Sequence, residues 1–187
     1  MSAQLALFAD PALPEGFRYQ PEFLSPEEEA ALIARFADLP LKPFEFQQYL
    51  GKRRVVYFGY RYDYQRGVMD EAADLPAWLI PIRDRAAAFA QRPPERLVQA
   101  MVTEYDVGAP IGWHRDRPQF EDVLGISLGS ACTFRFRRKV GDRWRRVSLV
   151  AEPRSIYLLR GPARTEWQHS IPPVAERRYS ITFRTLR

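Results

Sequence analysis

The stretch LVQAMVTEY, from Leu97 to Tyr105, begins a pattern in which apolar residues recur with a period close to two. Because successive side chains of a β-strand point to opposite faces, this pattern predicts strands with one buried face. Five similar runs follow, separated by Gly, Pro or Asp: VLGISLG (123–129), CTFRFRRK (132–139), RWRRVSLV (143–150), SIYLLRG (155–161) and YSITFRTL (179–186). The sequence from Leu97 onward therefore predicts an antiparallel sandwich or jelly roll.

A basic hairpin is predicted within this half of the chain. In CTFRFRRK, Phe134 and Phe136 share one face of the strand. Arg135 and Arg137 share the other face. Residues 140–142, Val-Gly-Asp, then supply a turn into the next strand. The aromatic face is expected to join the core, and the arginine face is expected to point outward.

Two helices are predicted before the strand-rich half. The stretch FLSPEEEAALIARFADLP (23–40) has Ser25 as an N-cap and Glu28 three residues later, which is the pattern of a capping box. The second helix is predicted over LPAWLIPIRDRAAAFAQ (75–91), although Pro81 lies near its first turn. Helices followed by strands indicate an α+β protein whose helices pack on one sheet of the sandwich.

The remaining segments indicate a single domain. A chain of 187 residues is long enough for one well-buried core, and neither an internal repeat nor a linker is evident. Residues Met1 to Phe17 are interrupted by proline and glycine and are expected to lack a regular element. The segment KPFEFQQYLGKRRVVYFGYRYDYQRG (42–67) is rich in aromatics and arginines, and it is typical either of strands or of a mobile flap.

The charge of the chain favours a polyanionic partner. The formal net charge is +5, which favours polyanions such as nucleic acid, with a merely arginine-rich protein as the alternative. Aromatic residues make up 13%, which suits either a sandwich core or a surface that stacks on planar ligands. Cys132 is the only cysteine, so neither a disulfide framework nor a thiolate metal site is expected. The sequence has no evident secretory leader and no apolar run long enough for a membrane span, which predicts a cytoplasmic protein without a membrane partner.

The two histidines of the chain indicate a metal site. His114 lies in IGWHRDRP with Asp116 two residues later, and His169 lies in TEWQHSIPP. Residues i and i+2 of a strand share a face, so His114 and Asp116 can meet one ion, and a closed sandwich can return His169 to it. Two imidazoles and a carboxylate form the facial triad of non-haem iron(II) oxygenases. The same set also holds hydrolytic zinc, so the triad alone leaves both metals open.

An anion site is predicted near the second histidine. Arg178 and Arg184 are six residues apart in RRYSITFR and share one strand face with Ser180 and Thr182. An arginine on an inward face is costly unless it meets an anion, and a guanidinium matches a carboxylate bidentately. Tyr105 lies before the metal strand and can donate its hydroxyl to the same ligand. A solvated edge strand remains the alternative for this segment.

The ordered motifs TEYDVGAPIGWHRD, SLG, WQHS and RYSITFR resemble the AlkB dioxygenases. The pattern of that family runs Asn-x-Tyr-x-x-Gly, His-x-Asp, a distant His, and two Arg six residues apart. The opening FLSPEEEAALIARF and the later GKRRVVYFGYRY are similar to its N-terminal helix and nucleotide-recognition flap. The resemblance implies one dioxygenase domain over residues 1–187. Helices and flap would occupy 18–96, and a double-stranded β-helix, the jelly-roll catalytic core, would occupy 97–187.

The resemblance also implies cofactors and their ligands. It implies that Fe(II) is bound by the catalytic residues His114, Asp116 and His169, and that 2-oxoglutarate is bound together with dioxygen. Five side chains would contact 2-oxoglutarate: Arg178, Arg184, Tyr105, Thr103 and Ser180. Thr103 stands where the family usually has Asn, and Ser180 stands where several members have Asn. Both retain a hydroxyl, so co-substrate binding is expected to survive in a weaker form.

The activity implied by the resemblance is oxidative N-dealkylation. Methyl groups on ring nitrogens, as in 1-methyladenine or 3-methylcytosine, resist hydrolysis and are removed by oxidation of their C–H bond. The expected role is repair of alkylation damage in DNA or demethylation of RNA. The substrate would be a single strand, or a base flipped from a duplex, because the reacting base must leave its stack. The enzyme is expected to act as a monomer.

Substrate contacts are expected from the segment 52–62 and from the metal strand. Tyr60 or Tyr62 would stack on the base opposite His114, although both tyrosines also suit ordinary sheet packing. Phosphates would meet a set of basic residues: Lys52, Arg53, Arg54, Arg61, Arg115, Arg117, Arg135 and Arg137. Two other functions stay open, namely an oxygenase acting on a protein or small molecule, and a nucleic-acid-binding module with an inert metal site or a zinc cupin.

Overall fold

Helix α1 (Pro26–Phe36) begins where the sequence predicts it. The computed structural model describes residues 13–46, 49–63 and 66–187. The Ser25 side chain accepts a hydrogen bond from the Glu28 amide, and the Glu28 carboxylate accepts one from the Ser25 amide, which confirms the capping box. Helix α2 (Ile80–Ala90) follows a 3-10 turn and carries Pro81 in its first turn, where no backbone hydrogen bond is lost. A short helix, α3 (Gly161–Thr165), was not predicted.

The strands of the described residues are β1 (Phe17–Gln20), β2 (Lys42–Phe46), β3 (Tyr49–Phe58), β4 (Tyr60–Asp63), β5 (Val68–Glu71), β6 (Leu97–Tyr105), β7 (Ile111–His114), β8 (Phe120–Leu128), β9 (Cys132–Val140), β10 (Arg143–Ala151), β11 (Ile156–Leu159), β12 (Gln168–Ile171) and β13 (Arg178–Leu186). Seven of them form a large antiparallel sheet in the order β1-β11-β8-β13-β6-β3-β2. Four form a small antiparallel sheet in the order β10-β9-β12-β7, and β4 pairs with β5 alone.

The outer face of the large sheet is covered by the helices, as the sequence predicts. Leu32 and Phe36 of α1 and Ala86 of α2 are buried in one apolar cluster with Leu124 of β8 and Phe183 of β13. The cluster contains alternate residues of the central strands, because residues two apart on a strand share a face. Helices on one sheet of a two-sheet sandwich give the predicted α+β jelly-roll class.

The other face of the large sheet packs on the small sheet and carries the polar side chains. Phe134 and Phe136 of β9 are buried against Tyr105 and Tyr157, which confirms the predicted alternation of aromatic and basic faces in β9. β9 and β10 are joined by Gly141 and Asp142, so the predicted hairpin is also present. The inward face of β13 is polar at Arg178, Ser180 and Thr182, all buried. The sandwich therefore encloses a polar centre within an apolar wall.

The N-terminal part contributes more strands than the sequence indicated. β1 begins at Phe17, within the segment expected to lack a regular element, and pairs with β11 at the edge of the large sheet. The first twelve residues of that segment lie outside the described residues. Of the two alternatives for 42–67, strands are observed: β3 pairs with β6, and β4 and β5 form their own hairpin. A mobile flap stays a prediction.

A buried carboxylate joins the end of helix α2 to the large sheet. It should contribute strongly to the free energy of unfolding. Asp122 of β8 is 0% exposed and accepts hydrogen bonds from Arg92 at 2.8 Å and from Arg160 at 2.9 and 2.7 Å. The substitution Asp122→Asn leaves two guanidiniums without their counter-charge. We expect it to lower the free energy of unfolding by about 3 kcal/mol, measured by urea denaturation.

The neighbouring Glu121→Gln is the matched control for this experiment. Glu121 pairs with Arg92 and Arg96 at the surface, so its loss should cost under about 1 kcal/mol. Burial favours the neutral form of Asp122, but the hydrogen bonds from Arg160 and Arg92 lower its pKa overall. The stabilisation is therefore complete above the ordinary aspartate pKa and declines as the pH falls below about 4. Equal losses in both variants, or a difference that persists in acid, would contradict the assignment.

Candidate metal and co-substrate site

His114 and His169 lie directly opposite each other on paired strands of the small sheet. They are cross-strand partners at the end of β7 and in β12. Ile111 pairs with Ile171, so three residue steps on β7 match two on β12, and β7 carries one extra residue. Such a bulge re-aims the side chains that follow it. The two imidazoles thereby converge, with ring centroids 4.2 Å apart.

Asp116 reaches the same point from outside the strand. β7 ends at His114, so the predicted i, i+2 alternation of one strand does not position Asp116, and that part of the sequence argument was wrong. Asp116 lies in the irregular segment after β7, with an Oδ2–Nε2 distance of 3.5 Å to His169. Ligand atoms of His114, Asp116 and His169 lie within 4.8 Å of one another. The predicted triad is therefore brought together by a turn of the chain.

The hydrogen bonding of His114 and the environment of His169 suit metal ligands. The His114 Nδ1 atom lies 2.9 Å from the Gly112 carbonyl oxygen, which can only accept, so Nδ1–H is the donor and Nε2 is the nitrogen left to face a metal ion. Burial, together with the nearby His114, lowers the pKa of His169 to about 3. His169 is therefore neutral at physiological pH, and its contact with Asp116 is not an ion pair.

Asp116 is held as an anion by Arg184. Asp116 Oδ1 accepts a hydrogen bond from Arg184 Nε at 3.1 Å, and an Arg184 terminal nitrogen lies 3.0 Å from the same oxygen in an ion pair. Burial, the largest single influence, favours the neutral carboxyl, but Arg184, the two imidazoles and Arg164 together outweigh it, so the pKa of Asp116 lies well below its usual range. Arg164, which is 4% exposed, donates to the carbonyls of Arg117 and Phe120 and so fixes the segment that carries Asp116.

Arg178 lies wholly inside the sandwich with one nitrogen unpaired. Its Nε and one terminal nitrogen donate to Ser127 Oγ at 3.2 and 3.1 Å, and its guanidinium lies 4.6 Å from the Tyr105 ring centroid. The other terminal nitrogen has no partner among the described residues, and neither does the buried Thr103 hydroxyl. Thr103 lies opposite Ser180 in the β6–β13 pairing, and Ser180 Oγ lies 3.3 Å from the Tyr105 hydroxyl. These unpaired groups mark a place for a buried anion, because unsatisfied buried donors are costly.

Gly125 makes room for a tyrosine beside this place. A Cβ atom at residue 125 would lie 2.2 Å from the Tyr157 ring, so only glycine allows the ring to lie across β8. Burial raises the pKa of Tyr157, which keeps its hydroxyl protonated as a donor. Tyr157 and Tyr105 thereby form an aromatic wall beside Arg178. Each ring is apolar, while each hydroxyl can still form a hydrogen bond.

A cavity of 590 Å³ opens the histidine–aspartate cluster to the surface and reaches Tyr105 and Tyr157. Arg178, Thr103 and Ser180 are not among its lining residues and lie deeper in the sandwich. His114, Asp116, His169 and Arg184 line it. Exposed residues at its rim, among them Gly112 and Pro118, open it to solvent. Aromatic side chains supply much of the remaining wall: Phe44, Tyr57, Tyr62, Tyr105, Trp113, Phe120, Phe134 and Tyr157. A cavity of this size accepts a small co-substrate together with one planar ring.

The residues expected to contact substrate divide into two groups. Four line the cavity: Tyr62, Arg53, Arg115 and Arg117. The Arg117 guanidinium lies 4.8 Å from the Tyr62 ring centroid, and Arg53 lies 4.5 Å from that of Phe44. Tyr60, Arg54 and Arg61 are not among the lining residues. Arg54 forms a bidentate pair with Glu104 at 2.9 Å, and Arg61 lies 3.9 Å from Asp70.

Three polar residues of the site were missed by sequence reasoning. Gln99 accepts a hydrogen bond from Arg184 at 3.0 Å, and Ser127 and Arg164 act as described above. Gln99 lies on the same strand face as Thr103 and Tyr105, because the three are spaced by even numbers of residues. A polar side chain on that inward face of β6 could have indicated that Gln99 belongs to the site. Ser127 likewise interrupts the apolar run of β8 on its inward face. Arg164 carried no such signal, because its helix was not predicted.

Comparison with known proteins gives a family for this arrangement. A family model described as the 2OG-Fe(II) oxygenase superfamily matches residues 16–184. A protein of Arabidopsis thaliana named Alkylated DNA repair protein ALKBH8 homolog is 30% identical over 178 residues, covering 81% of this chain and 49% of the relative. The mouse protein named tRNA (carboxymethyluridine(34)-5-O)-methyltransferase ALKBH8 is 30% identical over 173 residues, covering 87% of this chain and 25% of the relative. The chain thus spans half or less of these relatives.

A solved structure supports the same fold. The structure of OsALKBH1 superposes with a TM-score of 0.71 at 18% identity, covering 94% of this chain and 99% of the other. At that identity the likeness concerns the fold, and it confirms the jelly roll with its helices. Among the described residues, every helix is too short or too polar to traverse a lipid bilayer.

Proposed function

Because the chain belongs to the 2OG-Fe(II) oxygenase superfamily and is an AlkB-type dioxygenase within it, we propose that it removes alkyl groups from ring nitrogens of nucleobases in single-stranded RNA or DNA. One observation carries the proposal: the His-Asp-His cluster lies in an open cavity whose lining combines aromatic rings with arginines. Planar bases and phosphates are the ligands that match such a lining.

The triad is proposed to hold the iron. The donor set fits Fe(II), since two imidazoles and one carboxylate leave coordination positions open for other ligands. Asp116 presents Oδ2 toward His169, while Oδ1 is occupied by Arg184. His114 is oriented by its hydrogen bond to Gly112. These contacts make His114, Asp116 and His169 the metal ligands of the proposal.

The co-substrate, 2-oxoglutarate, is proposed to bind between the triad and Arg178. Its fit rests on the unpaired Arg178 nitrogen and the unpaired Thr103 hydroxyl, which a carboxylate can satisfy together. Ser180 and Tyr105 stand beside them, and Tyr105 can donate its hydroxyl. Arg184 lies at the metal end of the cavity, where it fixes Asp116 and can contact the second carboxylate.

Iron(II) held by His114, Asp116 and His169, together with 2-oxoglutarate, would supply the oxidising chemistry: one oxygen atom of dioxygen would end in succinate, with loss of carbon dioxide, and the other would hydroxylate the alkyl carbon, which would leave the ring nitrogen as an aldehyde. The protein supplies position and exclusion of water. Tyr62, held by Arg117, is proposed to form one wall for the base, with His114 on the metal side. Arg53 and Arg115 at the cavity wall are proposed to contact flanking phosphates. We propose no direct contact between the base and Tyr60, Arg54 or Arg61.

The test is a panel of alkylated nucleic acids. The protein is supplied with iron(II), 2-oxoglutarate and ascorbate, and with 1-methyladenine or 3-methylcytosine in single-stranded DNA, single-stranded RNA and duplex DNA. Transfer RNA joins the panel, because one relative is named for a transfer RNA modification. We expect loss of the alkyl group with stoichiometric succinate, fastest on single strands. Succinate formed only with peptide or small-molecule substrates would reject the proposal in favour of that other oxygenase function.

A further inference from the structure

The outer face of the small sheet carries cations and indole rings that the proposed chemistry does not use. Its outward positions include Arg135, Arg137 and Lys139 of β9, and Trp144 and Arg146 of β10. The buried Phe136 and Val147 occupy the opposite face, in register with one another. None of the outward positions described on these two strands is a carboxylate. The face is therefore a continuous positive surface.

The hairpin arrangement places like charges against each other. Arg146 lies directly opposite Arg137, and Arg145 lies directly opposite Arg138. Like charges at paired positions destabilise a sheet. Arg138 is compensated by Glu166 at 2.6 Å, but that pair does not extend to Arg137 and Arg146 on the outer face. An anion bound along β9 and β10 would relieve this repulsion.

The same face contains an ordered stack of rings and guanidiniums. Arg137 lies between two indoles, 4.6 Å from the Trp113 centroid and 4.3 Å from the Trp144 centroid, and Arg135 lies 5.0 Å from Trp113. Arg137 also donates to Gln168 at 2.7 Å. These contacts hold the guanidinium in one geometry, which lowers the entropy lost when it binds a phosphate. Trp144 is 39% exposed, so part of its ring is available for stacking.

The stack is continuous with the cavity. Trp113 contacts Arg135 and Arg137, and it also lines the cavity beside His114 and Arg115. From β7 to β10 the surface spans three strand spacings, roughly 14 Å. Phosphate-binding cations interleaved with exposed aromatic rings on a sheet are typical of single-strand binding platforms. A membrane or an acidic peptide has no bases for the indoles to stack on.

We infer that the outer face of β7, β12, β9 and β10 binds the strand that flanks the reacting nucleotide, as a second, sequence-independent binding surface for single-stranded nucleic acid. The inference rests on the proposed function for its choice of ligand. It adds that affinity depends on strand length, because a short oligonucleotide fills only the cavity and a longer one also reaches Arg137, Arg146 and Trp144.

The test is binding of unmodified, labelled single-stranded RNA, measured by fluorescence anisotropy. The probes are one of about three nucleotides and one of about 20, longer than a single-strand site of about 4–16 nucleotides. In R137Q/R146Q we expect affinity for the long probe to fall about tenfold, with the slope of log K against log salt reduced by roughly 1.4. We expect W144A to lose about tenfold as well. Affinity for the short probe should change less than about twofold in all variants.

The matched control is R35Q, which removes an exposed arginine from the last turn of α1, in the helical layer outside the large sheet. It should bind both probes as the parent protein does. A loss in R35Q that equals, per charge removed, the loss in R137Q/R146Q would mean that only net charge matters. Unchanged long-probe binding in R137Q/R146Q and W144A would overturn the inference. Binding needs no turnover, so length-dependent affinity without dealkylation would reject only the proposed function, and dealkylation with length-independent affinity would reject only this inference.

Discussion

In the variant Asp116→Ala, turnover of an alkylated oligonucleotide should fall by at least about a thousandfold, because several kcal/mol of metal-dependent stabilisation are lost. The side chain contributes the only carboxylate of the triad, and its Oδ1 also holds Arg184. Its removal should therefore weaken metal binding and disorder Arg184 together. Succinate release measures the loss of turnover, and anaerobic titration with Mn(II) measures metal affinity separately from turnover.

Two further variants keep this prediction interpretable. His114→Ala removes a ligand but leaves the Arg184–Asp116 pair, so it should lose metal binding with little change in stability. Asp106→Ala is the matched control, because Asp106 is an exposed carboxylate just beyond β6 that pairs with Arg177. It should retain turnover. If Asp116→Ala and His114→Ala fold, bind Mn(II) and release succinate at rates within about tenfold of the parent, the triad does not hold the iron.

The variant Arg178→Met should raise the KM for 2-oxoglutarate by about a hundredfold or more, because one partner of a buried charge pair is removed. Arg178 is 0% exposed and has one nitrogen without a partner. Methionine fills similar volume without charge, so the protein without co-substrate should be as stable as the parent or more stable. The shift of Tm that 2-oxoglutarate produces should disappear.

Arg177→Met is the matched control, since it makes the same change one residue earlier. Arg177 is 60% exposed and faces Asp106 at the surface. It should keep both the KM and the ligand-induced shift of Tm. Mn(II) affinity should be unchanged in both variants, which separates loss of co-substrate from loss of metal. A destabilised Arg178→Met with normal 2-oxoglutarate affinity would mean that Arg178 is only a structural residue.

The parts of the site that follow local periodicity could be predicted from the sequence. Arg178 and Ser180 face inward together with Thr103 and Tyr105, because strand faces alternate and β13 pairs with β6 in simple register. The capping box of α1 is equally local. The resemblance to the AlkB dioxygenases is confirmed by the family match and the relatives, and it supplied the cofactors that spacing alone left open.

The parts that depend on chain reversals could not be predicted. Asp116 reaches the triad through an irregular segment held by Arg164, and neither the bulge in β7 nor the helix α3 has a periodic signature. The pairing of β1 with β11 joins residues far apart in the sequence, and a four-residue strand carries too little pattern to be recognised. Long-range pairing depends on which sheet edges are open, and a single sequence does not show which edges these are.

The position of β13 has a consequence for biosynthesis. This strand lies between β8 and β6, so it fills the centre of the large sheet, although all the other described strands precede it along the chain. Until residues 178–186 leave the ribosome, β8 and β6 each present a bare edge, and such edges invite aggregation. The same residues bring Arg178 and Arg184. If these arginines hold 2-oxoglutarate as proposed, a nascent chain gains that affinity only in the step that closes the sheet, and the metabolite is expected to favour chains that have completed it.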